Sequence, residues 1–401
     1  MTAAAPPAPG TSRAAHLAQV AALLWPPPAA VRIGRPEQPD GDFYLLVPSA
    51  QQPRLVLPRN GRAAAAAVAG FNPDRSRRAA AVSGLLRAAL RTGTARALMR
   101  DQLVITGAGP NLRDYLGEVL GQDVLISLLL GPARANAKPI AQVLTPAGEV
   151  LGYAKVGGTD LSRRLVRAET SALELLAAAR TQTIEIPRIL HAGRWRDAEI
   201  LVLSPLRASG KPPRRGAGRL LQDAVAEVIA ITGTRRTELA ASAYWQRLQD
   251  RLRLLGDRGT GFAEVAEQIG AAAGSAELTF GSWHGDWTRS NVTVRAASVL
   301  AWDWERFESG VPAGFDALHY RLHQAINTER AEPAAAVRAT FAAAPGLLAR
   351  FSTQPELTCA LYHLELAVRY LQDRQDLAGA RLGHPDAWML PSLISAVETL
   401  S

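Results

Sequence analysis

Cysteine is almost missing from this 401-residue chain. The single one, Cys359, excludes an intramolecular disulfide framework and any multi-cysteine metal site. Nothing therefore demands an oxidising compartment, and a cytoplasmic location is expected. Lysine is nearly as scarce: Lys138, Lys155 and Lys211 stand among 45 basic residues, and the rest are arginine. Long apolar runs are lacking too. The N-terminus has no early basic segment, and Arg13, His16 and several prolines interrupt its apolar stretches before a secretory or membrane-spanning run develops. No membrane partner is expected, and residues 1–30 read as a disordered tail.

What is present is the composition of a globular protein: 48% hydrophobic residues, 20% charged and a formal net charge of +9. The length exceeds one ordinary core, so two or three units of roughly 100–200 residues are expected. A basic surface attracts nucleic acid and phosphorylated ligands alike. A nucleic-acid binder would gather its basic residues on one face with aromatic stacking positions, whereas these arginines are spread through the chain. No nucleic-acid partner is expected.

Residues 31–120 read as a small mixed α/β extension. DFYLLVPSA (41–49) and PRLVLPR (53–59) are short β-like runs, and the alanine- and arginine-rich segments 61–69 and 76–92 have helical composition. No metal-ligand spacing or phosphate signature stands out there. From 121 the pattern changes to consecutive strands, DVLISLLLG (123–131), PIAQVLT (139–145) and VLGYAKVG (150–157), an antiparallel meander with a turn at PAGE. A helix at 160–180 follows, then IPRILHAGRW (186–195) and EILVLSPL (199–206), which gives about five strands and one helix over 121–206. The glycine-, proline- and arginine-rich stretch 207–219 reads as a linker, and helical patterns dominate 207–401.

The interruption of those helices carries the chemistry. His284-Gly285-Asp286 is followed five residues beyond the aspartate by Asn291, and twelve beyond that by Asp303 in the β-like run SVLAWDWERF (298–307). A carboxylate, an amide and a second carboxylate are what phosphoryl transfer requires: one group to orient an acceptor hydroxyl, and oxygen donors for a hard cation beside the triphosphate. An isolated HGD recurs by chance as an ordinary turn. The long spacing, with each polar residue next to a β-like run, favours the functional reading.

HGDWTRSN with a downstream AWDWE resembles the HGDxxxxN and IDWE signatures of the aminoglycoside phosphotransferase family, small-molecule kinases with a protein-kinase-like fold. The resemblance implies an α+β, bilobal fold over about 121–325, with a β-rich N-lobe, a helical C-lobe and the α/β extension added in front. It implies ATP and magnesium as cofactors and a small-molecule hydroxyl as acceptor. By the same resemblance Asp286 is the catalytic base, His284 braces its loop within the catalytic set, and Asn291 and Asp303 hold the metal. Lys155 at the end of the third strand pairs with Glu169 on the following helix to meet the nucleotide phosphates. The turn 131–138 falls where a nucleotide-covering loop would lie, with Gly131 and Asn136 as its candidate contacts, although a plain hairpin turn explains a single glycine equally well.

Asp316, in ESGVPAGFDALHY, reads as structural support for the catalytic loop. Trp283, Trp287, Trp302 and Trp304 read as core rather than pocket. Aminoglycosides are polycations, and the C-terminal helices mix their acidic residues with many arginines, which disfavours that acceptor. Two other functions fit the same fold. A non-catalytic binding or regulatory protein is opposed by the intact polar positions. A protein kinase is opposed by the HGD and DWE variants and by the lack of a closing Ala-Pro-Glu.

Overall fold

The computed structural model describes residues 12–34, 42–70, 77–95, 99, 101–107, 109–131, 138–206, 216–295, 297–373 and 384–398. Two compact units emerge, Met1–Arg167 with Arg188–Pro205, and Ala168–Pro187 with Leu206–Ser401. The first is a sheet unit and the second a helical unit.

In the sheet unit, strands β1 (Ala30–Gly34), β2 (Asp42–Val47), β3 (Leu55–Pro58), β4 (Gln102–Thr106), β5 (Leu125–Leu129), β6 (Ile140–Leu144) and β7 (Val150–Gly157) join β9 (Ile189–Trp195) and β10 (Ala198–Leu203); the short β8 (Ile184–Glu185) belongs to the helical unit. Their order is β1-β4-β2-β3-β5-β6-β7-β10-β9, antiparallel at every seam. The five strands expected over 121–206 are all there. What the sequence reading missed is the seam in the middle. β3 pairs with β5, with Leu55 opposite Leu129 and Val56 opposite Leu128, so the presumed extension and the presumed N-lobe form one sheet.

Period-two alternation explains why this sheet is apolar on both sides. In β2, Tyr44 and Leu46 enter a core with Val56, Ile126, Leu128, Val143, Val156 and Val202, while Phe43 and Leu45 enter a second core with Leu57, Val104 and Leu144. The first core is covered by α1 (Arg13–Leu24) through Leu17, Val20 and Leu24 and, further along the chain, by Leu112 and Leu116. The second is covered by α2 (Gly61–Gly70), whose alanines at 63, 64, 65 and 67 let it lie close, and by Leu90 of α3 (Arg77–Thr92). Leu112 and Leu116 belong to α4 (Leu112–Leu120), capped at one end by the Asn111 side-chain oxygen, which accepts the Asp114 N–H, and at the other by the left-handed Gly121. Each fully buried leucine contributes about 1.5–3 kcal/mol against exposure.

Helix α1 corrects the expectation of a disordered tail over 1–30. Ser12 caps it, its hydroxyl accepting the Ala15 N–H at 3.2 Å, and Leu17, Val20, Ala21 and Leu24 form an i, i+3, i+4, i+7 stripe that goes into the core. The prolines that broke the apolar pattern flank this helix, at 6, 7 and 9 before it and at 26, 27 and 28 after it, rather than interrupt it. Residues 1–11 lie outside the described residues.

Helix α5 (Asp160–Ala179) continues from the sheet unit into the helical unit. The latter then contains α6 (Ala217–Ala230), α7 (Ala243–Leu255), α8 (Thr260–Ala273), α9 (Phe315–Asn327), α10 (Pro333–Leu348), α11 (Pro355–Gln372), α12 (Pro385–Trp388) and α13 (Leu390–Glu398). Buried on nearly every side, α11 packs against α7, α8, α9 and α10. Its buried Glu365 is met by Arg251 of α7 at 2.5 Å. Two small sheets interrupt the helices. β12 (Glu277–Trp283) lies between β11 (Arg235–Glu238) and β15 (Glu308–Pro312), and β14 (Ser298–Ala301) lies between antiparallel β13 (Val292–Arg295) and parallel β8. The segment 168–187 thus joins the helical unit and not, as expected, the strand-rich lobe, because β8 finds its partner in β14. The expected α+β class, with strands first and helices after, is borne out. No helix among the described residues is long and apolar enough to cross a membrane.

Candidate active site

The loop between β12 and β13 carries His284, Gly285, Asp286 and Asn291. Its backbone is fixed from several directions. Asp316, in the first turn of α9, accepts the N–H of His284 at 2.7 Å on one oxygen and that of Gly285 at 3.1 Å on the other. Arg369 of α11 donates to the Gly285 carbonyl at 2.5 Å, and its guanidinium lies 5.4 Å from the centre of the Trp283 ring. Gly285 has φ +82°, and a Cβ there would sit 2.3 Å from the Arg306 carbonyl oxygen, so only glycine fits. Complete burial pushes Asp316 up to about 7 against the pull of its two N–H donors, with the charge of Arg369 opposing and that of Asp286 adding to the rise.

His284 is fully buried, and both ring nitrogens are spent on the backbone. Nε2 donates to the Trp302 carbonyl at 3.0 Å, and Nδ1 accepts the Asp286 N–H at 3.1 Å. This pattern requires the neutral Nε2–H tautomer, and burial lowers the pKa to about 4 against the attraction of Asp286. Its ring packs 4.4 Å from that of Trp304. His284 is a brace joining the Asp286 loop to the Trp302–Asp303 turn, and it has no nitrogen left for a reacting proton.

The Asp286 carboxylate is held at both oxygens. Oδ2 accepts from Asn291 Nδ2 at 2.7 Å, and Oδ1 accepts from His319 Nε2 at 3.1 Å, while the side chain stays 43% exposed. Burial works to raise its pKa, but the hydrogen bond from His319, with the charge of Arg369, outweighs it and holds the carboxyl well below the usual range. His319 is itself buried on α9, and burial lowers its pKa against the pull of Asp286. Its Nδ1 lies 3.0 Å from the Tyr362 hydroxyl of α11, which burial pushes well above its ordinary value and therefore keeps protonated.

Asn291 is the second fixed point. Its amide nitrogen also donates to the Asp286 carbonyl at 3.0 Å, which leaves the amide oxygen for another ligand. The Asn291 carbonyl accepts the Trp302 N–H at 3.1 Å, tying it to the residue before Asp303. Asp303 adopts the left-handed conformation at φ +64°, uncommon outside glycine. Such strain persists only where surroundings enforce it. Here buried Glu169 of α5 accepts the next N–H, that of Trp304, at 3.3 Å. Among the described residues no group of three or more His, Cys, Asp or Glu side chains could hold a metal. The Asn291 amide oxygen and the Asp303 carboxylate are hard oxygen donors, which suit magnesium better than zinc.

The other expected residues fall in different places. Lys155 is buried in β7, paired across the ladder with Ile140 and Leu201, in the sheet unit, whereas Glu169 belongs to the helical unit. Gly131 is exposed at the end of β5, and Asn136 lies outside the described residues. Trp283, Trp287 and Trp304 are core, as expected, and Trp302 is half-buried. Asp316 supports the loop as expected. The sequence reading passed over His319, Tyr362 and Arg369. His319 stood three residues past Asp316, on the same helix face, which is a usable signal. Tyr362 and Arg369 give no local signal.

No family model matches this chain, and no curated protein does. Among solved structures it is similar to a thermostable mutant of the aminoglycoside phosphotransferase APH(4)-Ia, at 13% identity over 72% of this chain and 99% of that one, TM-score 0.44. It is also similar to a putative fructosamine-3-kinase from Haemophilus somnus 129PT, at 14% identity over 72% and 96%, TM-score 0.40. A choline/ethanolamine kinase family protein from Mesorhizobium loti matches at 14% identity over 65% and 90%, TM-score 0.40. Likeness this distant carries no argument, and the case for a function rests on the residues described above.

Proposed function

We propose that this chain is a phosphotransferase that moves the γ-phosphoryl group of ATP to a hydroxyl of a small molecule, with Asp286 as the group that receives the hydroxyl proton. The observation that carries this is the Asp286 carboxylate: exposed enough to meet a substrate, and fixed at both oxygens by Asn291 and His319 on a loop that is itself fixed.

Phosphoryl transfer asks the protein mainly for position and electrostatics. Asp286 accepts a hydrogen bond from the acceptor hydroxyl and so aims that oxygen at the γ-phosphorus. As the new O–P bond forms and ADP departs, the hydroxyl proton passes to the carboxylate. A carboxyl held below its usual range is a weak base, so it orients the hydroxyl early and takes the proton late. Asn291, through its amide oxygen, and Asp303, through its carboxylate, would hold a magnesium ion, which supplies charge neutralisation of the phosphate oxygens. His284 and Asp316 keep the Asp286 and Asp303 segments in register. Lys155 and Glu169 are retained as proposed phosphate-side residues.

Incubating the protein with γ-labelled ATP, magnesium and pooled sugars, aminoglycosides, amino alcohols and nucleosides tests the proposal, with products identified by mass spectrometry. A magnesium-dependent phosphorylated product is expected. Nucleotide that binds but is never transferred to any pool would favour a non-catalytic scaffold, and failure to bind nucleotide would refute the reading.

A further inference from the structure

The chain of contacts behind Asp286 runs further than the transfer reaction itself requires. Tyr362 in the interior of α11 and His319 on α9 are both buried, and they lie in line with the exposed carboxylate: Tyr362 Oη to His319 Nδ1 is 3.0 Å, and His319 Nε2 to Asp286 Oδ1 is 3.1 Å. A carboxylate only accepts, so the nitrogen facing Asp286 carries the hydrogen. The nitrogen facing Tyr362 then lacks one and takes the phenol proton. Three side chains from three segments agree on one tautomer, and among the described residues none of them has a competing partner at these atoms.

We propose that His319 is a positioning residue: locked as the Nε2–H tautomer by Tyr362, it holds the Asp286 carboxylate in the rotamer from which the acceptor hydroxyl is aimed. Asn291 alone grips one oxygen and leaves the carboxylate free to turn about its Cβ–Cγ bond. The grip of His319 on the other oxygen removes that rotation. Each oxygen keeps a second lone pair, and the exposed side of the carboxylate is where a hydroxyl reaches it. Burial opposes a second proton on His319 and the charge of Arg369 adds to that, against the pull of the Asp286 carboxylate. His323, one turn further on α9 with its ring 4.3 Å away, is itself kept neutral by burial. His319 is thus built to stay neutral and directional. The aim of the hydroxyl rests on the phosphotransferase reading, while the hold on Asp286 does not.

Length separates the substitutions. A glutamine at 319 places an amide nitrogen where Nε2 lies, and an asparagine ends where Nδ1 lies, short of Asp286. The experiment therefore compares His319→Gln, His319→Asn, His319→Leu and Tyr362→Phe with the wild type, using steady-state transfer and nitrogen-15 spectra of the histidine rings. His319→Leu and His319→Asn are expected to lower kcat by about 100-fold, the scale of a reacting group misplaced by an ångström, with KM for ATP within a few-fold. His319→Gln should recover most of the loss, and Tyr362→Phe should cost a few-fold. In the wild-type spectrum His319 should be a single Nε2–H tautomer whose Nε2 shift changes in Asp286→Asn. A merely structural histidine would change thermal stability in all four variants without the glutamine rescue. Equal kcat for the leucine, asparagine and glutamine variants overturns the positioning role, and a mixed or Nδ1–H tautomer overturns it whether or not transfer is seen. A wild-type protein with the expected tautomer and no transfer leaves the hold on Asp286 standing and refutes the phosphotransferase reading instead.

Discussion

The two units bury different things. In the sheet unit the buried polar side chains are few and mostly uncharged, Gln102, Ser127, Gln142 and Ser162, with Lys155 the exception. In the helical unit Glu169, His284, Asn291, Asp316, His319, His363 and Glu365 are all buried. A buried polar group costs free energy unless it is bonded, so a cluster of bonded ones marks a place where geometry is held at the expense of stability. The sheet unit is held by apolar faces and ladder pairing. Around Asp286, in contrast, the loop is held by identified donors and acceptors, each replaceable only by a group with the same reach. One unit should therefore respond to mutation gradually and in stability, and the other abruptly and in activity.

The strongest way to break this comparison is to cut the sheet. Deleting residues 12–120 removes α1 to α4 and β1 to β4, opens the β5 edge and strips Leu17, Leu24, Leu46, Val56 and Leu116 from the shared core. We expect insoluble protein with no cooperative melt. A soluble, cooperatively melting chain from 121 onward would show that the seam at Val56 and Leu128 is incidental. A gentler cut, Leu128→Ala, should cost about 2–5 kcal/mol by urea unfolding and leave kcat of the folded fraction unchanged.

The opposite behaviour is expected at Gly285. Alanine there must leave the left-handed region or displace the Arg306 carbonyl. A stability loss of roughly 1–3 kcal/mol is expected together with a fall in kcat out of proportion to it, about 100-fold. Wild-type kcat in a folded Gly285→Ala protein would mean that the loop tolerates displacement.

The smallest effect concerns pH. His363 on α11 is buried against Phe341, and burial lowers its pKa from 6.5 to about 4. The unfolded chain then binds a proton between these values and the folded protein does not, so this contribution is fully present above pH 6.5 and is lost as pH falls towards 4. The slope is about 1.4 kcal/mol per pH unit within that window. His363→Asn, which can still donate to the Cys359 carbonyl, should flatten the pH dependence of unfolding by that amount. An unchanged slope would assign the acid sensitivity to other groups.

Local pattern revealed a good part of this. The strand run 123–206 was legible because alternation and turn residues are short-range signals, and β5, β6, β7, β9 and β10 appear where expected. The Asp286, Asn291 and Asp303 constellation was legible because its spacing is fixed by a loop and a hairpin, β13 and β14, contiguous in the chain. The β3–β5 seam was not, since it joins residues about seventy apart and edge pairing leaves no mark on either strand. Helix α1 was missed because its short stripe of Leu17, Val20, Ala21 and Leu24 lies between two clusters of prolines, which mask the helical period. His319, Tyr362 and Arg369 were missed because their meaning lies in what α9 and α11 bring together across the fold. Motif spacing identifies the groups that act, and the packing of distant helices identifies those that hold them.

The central claim is that a fixed Asp286 carboxylate performs phosphoryl transfer, and its most direct test compares wild type and Asp286→Asn in transfer of labelled γ-phosphate and in nucleotide binding. The account predicts that the asparagine variant folds and binds nucleotide as the wild type does, with transfer reduced roughly 10²–10⁴-fold. Transfer at the wild-type rate by a folded Asp286→Asn protein would contradict it.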